Sequence, residues 1–180
     1  MRQRITSIRL QQLISALGAS AKRPTRVFLV GGATSVLLGW RDSTIDVDLK
    51  IVPESDEVLR KLPELKESLQ VNIELASPAD FIPELPGWQE RSSFVRQEGK
   101  VTFFHYDFYA QALAKIERGH SLDMQDLREM INRGLIEPKR LLDLFHSIED
   151  QLYRYPAVDA SSFRRKVEAV AREAEPESIR

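Results

Sequence analysis

Apolar residues along the chain follow two rhythms, and the change from one to the other divides it. Ile5, Ile8, Leu13, Ile14 and Leu17 recur at helical spacing up to Gly18, which predicts an amphipathic helix over 3–18. Beyond the turn Lys22-Arg-Pro-Thr25, the run Arg26-Val-Phe-Leu-Val30 is short, apolar and closed by Gly31-Gly32, the pattern of a buried strand. A short helix over 33–39 follows. From Thr44 to Val52 the alternation is strict: Ile45, Val47, Leu49 and Ile51 face one way, Asp46, Asp48 and Lys50 the other. Pro53 ends this strand, and Ser55 opens a helix to about residue 68. Val71 to Ala76 reads as a third strand, and the Pro- and Gly-rich stretch Phe81 to Trp88 as a loop. Phe94–Arg96 and Lys100–Tyr106 pair as a hairpin around Glu98-Gly99.

From Asp107 onward only the helical rhythm remains. Helices are predicted over 108–118, ended by Gly119, and from Ser121 as cap to Arg133, ended by Gly134. Another runs from Pro138 to about Tyr153, and a last one over 161–174, followed by a charged tail. The expected class is α+β: an α/β domain, residues 1–106, and a C-terminal helical region, residues 107–180, packed on it. Phe103, Phe104, Tyr106, Phe108 and Tyr109 read as packing residues.

Composition narrows the function classes. With 42% hydrophobic and 29% charged residues, the 180-residue chain has enough apolar material for an ordinary globular core. A formal charge of -1, from 26 basic and 27 acidic residues, argues against a protein that coats nucleic acid by neutralising many phosphates. Without cysteine there is no disulfide framework and no thiolate metal site. The first residues lack the apolar stretch of a secretory leader, and no apolar run approaches the roughly 20 residues that cross a bilayer. The expectation is a cytoplasmic protein with no membrane partner.

The chemistry concentrates at Gly31-Gly32 and, after thirteen intervening residues, Asp46-Val47-Asp48. Period-two geometry puts both carboxylates on one strand face, with Cα atoms about 7 Å apart. Like charges so close are unfavourable without a cation between them. An all-oxygen donor pair of this kind suits Mg²⁺, which takes one or two carboxylates together with substrate phosphates. Gly31 and Gly32 let the backbone approach a phosphate, and the helix that follows presents free N–H groups. A solvated acidic strand face behind a tight turn uses the same residues. The glycine pair after a buried strand, at strand–helix–strand distance, favours the site.

Val30-Gly-Gly32, the intervening thirteen residues and Asp46-Val-Asp-Leu49 resemble the signature of the nucleotidyltransferase superfamily related to DNA polymerase β. More narrowly, residues 44–49 and 114–127 are similar to bacterial nucleotidyltransferase-like proteins, which include abortive-infection-type toxins and relatives with no assigned activity. The resemblance implies a mixed sheet flanked by helices. It also implies two-metal chemistry with Mg²⁺ (or Mn²⁺) and transfer of a nucleoside monophosphate from an NTP to an acceptor hydroxyl. The acceptor is open among protein, tRNA or other RNA, and a small molecule. A toxin-like role with an antitoxin partner is one version; a catalytically degenerate nucleotide-binding or partner-binding module, or a plain structural partner, is the alternative.

In the same resemblance, Asp46, Asp48 and a third carboxylate are catalytic and bind metal. Glu74 is the better candidate for the third and Asp80 the second. Gly31, Gly32, Thr34, Lys115 and Arg118 would bind the nucleotide, with Lys115 steadying the β- and γ-phosphates. Asp123 and Asp126 lie in the first turns of the next helix. They read as dipole partners or as carboxylates that fix Lys115 and Arg118, in preference to metal ligands. His105 and His120 stand alone, without the spacing of a zinc site.

Overall fold

A computed structural model describes residues 3–173. The first departure from the sequence pattern is at the start. Ile5 and Thr6 form a two-residue strand, β1, rather than a first helical turn, and pair antiparallel with β3 (Ser43–Thr44). Helix α1 therefore covers Ser7–Gly18. Its buried stripe is Leu10, Leu13, Ile14 and Leu17, and Ile8 lies on the opposite side of the helix, largely exposed.

The main sheet of the first unit has the order β5-β4-β2-β7-β6, from β2 (Thr25–Val30), β4 (Asp46–Val52), β5 (Asn72–Leu75), β6 (Ser93–Glu98) and β7 (Val101–His105). The β2–β4 and β6–β7 pairs are antiparallel, while β2–β7 and β4–β5 are parallel, so the sheet is mixed. Helix α2 (Gly32–Leu37) follows β2, and α3 (Asp56–Ser68) follows β4. Ser55 caps α3 by accepting a hydrogen bond from the Val58 amide, and Asp56 and Glu57 complement the helix dipole.

Alternation decides what each sheet face carries. Val27, Leu29, Val47, Leu49, Ile73 and Phe103 point into one core with Leu10, Leu13 and Leu17 of α1 and Val58, Leu62 and Leu65 of α3. Each fully buried side chain of this size stabilises by about 1.5–3 kcal/mol, which pins the strands in register. The other face takes the intervening positions: Phe28, Lys50 and Phe104 in one cross-strand row, Asp46, Asp48, Asn72 and Glu74 beside it. Phe28 and Phe104 stack there with ring centroids 5.2 Å apart.

The predicted single strand over 44–52 is broken at Ile45. Thr44 belongs to β3 and Asp46 starts β4, so Ile45 occupies the bend between them and is exposed instead of joining the inward row.

The second unit consists of residues 78–91 and those from 107 on. It takes in a stretch that lies within the α/β domain, residues 1–106, of the sequence pattern. Ile82, Leu85 and Trp88 are buried. Arg91, at the end of α4 (Trp88–Arg91), donates from Nη2 to Asp107 Oδ2 at 2.7 Å, and Tyr155 donates from its hydroxyl to Ala79 O at 3.0 Å. These contacts, rather than sequence neighbourhood, give residues 78–91 their place.

Helices α5 (Phe108–Arg118), α6 (Ser121–Asn132), α7 (Pro138–His146) and α8 (Ala160–Glu173) make the remainder. Asp107 caps α5 by accepting from the Tyr109 amide, and Gly119 closes it in the left-handed conformation. The cap of α6 is His120, with Ser121 as the first helical residue. The predicted helix from Pro138 stops at His146, and residues 149–154 form a separate 3-10 turn. Ser147 Oγ donates to Leu144 O at 2.6 Å and occupies the carbonyl that the next α-helical turn needs, so the Ile148 amide turns to Phe145 O instead. The end of the last predicted helix at 174 and the charged tail lie outside the described residues. Among the described residues no helix is long and apolar enough to cross a membrane.

Candidate functional site

Strand β4 holds the aspartates in place through the apolar residues that alternate with them. Val47 and Leu49 are fully buried, so Asp46 and Asp48 are fixed on the opposite face, both half-buried. Antiparallel register sets Asp48 beside Val30, the residue before the glycine turn.

That turn needs glycine twice, for two reasons. Gly31 has φ 62° and ψ -125°, a backbone region open almost only to glycine, and a Cβ there would stand 3.4 Å from Asp48 Oδ2. At Gly32 a Cβ would fall 2.1 Å from Thr44 Oγ1, well inside contact distance. Thr44 in turn donates from Oγ1 to Asp46 O at 3.1 Å. The close approach at Gly32 therefore locks the turn against the segment that leads into Asp46.

Glu74 joins the pair through sheet register. Strand β5 runs parallel to β4 with Asp46 beside Asn72 and Asp48 beside Glu74, so all four side chains share one face. Asn72 donates from Nδ2 to Asp46 Oδ1 at 2.6 Å and to Glu74 Oε1 at 3.1 Å. Nothing in the sequence pattern singles out Asn72. The matching alternations Asp46-Val-Asp-Leu49 and Asn72-Ile-Glu-Leu75 are the signal that would have found it. Asp80, the second candidate for a third carboxylate, ends the 3-10 turn Pro78–Asp80 and belongs to the second unit.

The donor set at this face is made of carboxylate oxygens, the ligand chemistry of Mg²⁺ and Mn²⁺. Among the described residues no three His, Cys, Asp or Glu side chains converge on one point in metal-holding geometry. Asp46 Oδ1 and Glu74 Oε1 both point at the Asn72 amide.

Thr34 is placed beneath the turn. It is completely buried, donates from Oγ1 to Leu29 O at 3.2 Å, and lies 3.1 Å from His105 Nδ1. Burial holds the His105 pKa down, from 6.5 to about 4. Leu29 O also accepts from the Tyr106 amide at 2.9 Å, so Thr34 and His105 tie the start of α2 to the ends of β2 and β7.

In the second unit, Lys115 and Arg118 meet Asp123 and Asp126. Lys115 is buried, with Nζ 2.6 Å from Asp126 Oδ2 and 3.5 Å from Asp123 Oδ1. Arg118 forks onto Asp123, from Nε at 2.7 Å and from Nη2 at 2.5 Å. Burial pushes the Asp123 carboxyl up, but the Arg118 hydrogen bond, the charges of Lys115 and Arg118 and the Lys115 hydrogen bond outweigh it, and the net shift is downward. These contacts join α5 to α6 by charges that neutralise one another inside the unit.

The glycine turn, the aspartate pair across from it and the mixed sheet that carries them agree with a family match over most of the chain. The chain belongs to the family described as nucleotidyltransferase of unknown function (DUF6036), which matches it over residues 7–174. No curated protein and no solved structure matches the chain.

Proposed function

We propose that the protein is a Mg²⁺-dependent nucleotidyltransferase that moves a nucleoside monophosphate from an NTP to an acceptor hydroxyl. The observation that carries this reading is the placement of Asp46 and Asp48 on one face of β4, beside the turn at Gly31, where an added Cβ would stand 3.4 Å from Asp48 Oδ2. Family membership supports it. In the reaction, the acceptor oxygen bonds to the α-phosphorus as the bond to the β-bridging oxygen breaks; pyrophosphate leaves and the hydroxyl proton passes to solvent. Asp46, Asp48 and Glu74 would hold Mg²⁺ or Mn²⁺, which when bound acidifies the hydroxyl and offsets phosphate charge. Gly31 and Gly32 keep side chains away from the phosphates. The roles of Lys115 and Arg118 toward the β- and γ-phosphates are part of the proposal and rest on the resemblance of residues 114–127.

The acceptor class remains protein, RNA or small molecule, and a toxin-like action held by an antitoxin is the version nearest to the resemblance. The test is incubation with each α-³²P-labelled NTP, Mg²⁺ and cell lysate. Label should appear on a macromolecule or metabolite, and Asp46→Asn should abolish it. Label transfer that survives in Asp46→Asn refutes the assignment.

One observation favours a second reading, a module that binds nucleotide without turnover: the Lys115 ammonium is already bonded to two buried carboxylates. Mg²⁺-NTP binding by calorimetry, with no transfer from any of the four NTPs, would select it.

A further inference from the structure

We infer that Asn72 is a positioning residue that organises the carboxylates of β4 and β5 for a divalent cation. The inference rests on the Mg²⁺-site reading of Asp46 and Asp48 and deepens it. Parallel register puts Asn72 beside Asp46 and two positions from Glu74, so its amide reaches a carboxylate on each strand. Its Nδ2 carries two hydrogens, and the two acceptors at 2.6 Å and 3.1 Å use both.

The arrangement solves a specific problem. Three carboxylates on one face repel one another, and Glu74 is an exposed side chain with several rotamers open to it. A neutral double donor between Asp46 and Glu74 lowers that repulsion without adding a charge that would have to be displaced. It also selects the Glu74 rotamer whose Oε1 reaches the Asn72 amide. A lysine or arginine at residue 72 would neutralise the face and repel the cation; an aspartate would have no hydrogens to share. Asparagine does neither, and its amide oxygen remains a hard donor of the kind divalent cations accept. Asn72 thus bears on the site through Asp46 and Glu74. Outer partners of this type tune metal affinity by about 10- to 100-fold.

Two readouts on the full-length protein test this, one without metal and one with Mn²⁺ alone. In metal-free protein, the ¹⁵N-labelled side-chain amide of Asn72 should give a pair of well-separated, downfield-shifted proton signals. Glu74→Gln should move one of them and Asp46→Asn the other. Mn²⁺ titration followed by electron paramagnetic resonance should show about 10-fold weaker binding in Asn72→Ala, with unchanged circular dichroism. Glu74→Ala should weaken binding too, and the double variant should lose less than the product of the two. Wild-type affinity in Asn72→Ala, or losses that multiply fully in the double variant, would overturn the positioning role. If Asn72→Ala keeps wild-type affinity while Asp46→Asn loses Mn²⁺, only the role of Asn72 falls. Mn²⁺ affinity equal in wild type and Asp46→Asn sinks the metal reading and this inference with it. Amide signals that ignore both carboxylate variants sink the inference alone.

Discussion

The two charged clusters of this chain are built from the same residue types and treat charge in opposite ways. In the second unit, Lys115, Arg118, Asp123 and Asp126 pair two cations with two anions across α5 and α6, and three of the four are buried. In the first unit, Asp46, Asp48 and Glu74 gather three carboxylates on one sheet face beside the glycine turn, with an amide between two of them. A self-neutralised cluster holds helices together. Carboxylates gathered on one face offer the hard oxygen donors that divalent cations accept. The first cluster joins α5 to α6; on the proposed reading, the second takes the cation.

That division predicts opposite outcomes for the two sets of variants. Asp126→Ala leaves the Lys115 ammonium buried without its nearest partner and should destabilise by about 4 kcal/mol, read from urea unfolding. Replacing the pair together, Lys115→Met with Asp126→Leu, should recover most of the loss. Asp46→Asn should instead leave stability within about 0.5 kcal/mol while transfer is abolished. A stability loss of several kcal/mol in Asp46→Asn would erase the contrast.

Acid supplies a third test, at the junction beneath the glycine turn. The folded-state pKa of His105 is depressed, so the unfolded chain takes up a proton at higher pH than the folded one. Its stabilising contribution is present above pH 6.5 and is lost as pH falls toward about 4, by about 3 kcal/mol in total. Unfolding free energies measured across that window should show the loss, and His105→Gln should flatten it.

The smallest effect is at the turn itself. Gly32→Ala puts a Cβ against Thr44 Oγ1 and should cost about 1–3 kcal/mol, with partial recovery in Gly32→Ala/Thr44→Gly. Thermal melts of the single and double variants would check it.

What could be read from the sequence follows from how local each signal is. Strict alternation fixed the faces of Asp46 and Asp48, because period two needs only the strand itself. The Gly31-Gly32 turn was legible for the same reason, and the α+β class followed from the change of rhythm after Tyr106. The β1–β3 pair was not, since two-residue strands carry no period and Ile5 pairs with Thr44, thirty-nine positions away. Neither was the place of residues 78–91, which depends on the Arg91–Asp107 pair. Thr34 sits one turn into α2, close in sequence to the glycines, yet faces inward to His105; a lone histidine gave no warning of it. The burial of Lys115 likewise depends on where α6 lies against α5, which helix periodicity alone does not state.

The central claim is that Asp46 and Asp48 form a divalent-cation site for a nucleotide. Isothermal titration of Mn²⁺ with a non-hydrolysable NTP analogue, into wild type and Asp48→Asn, tests it most directly. Saturable, metal-dependent nucleotide binding is expected in the wild type, with a loss of at least about 10-fold in Asp48→Asn. Equal binding in the two proteins would contradict it.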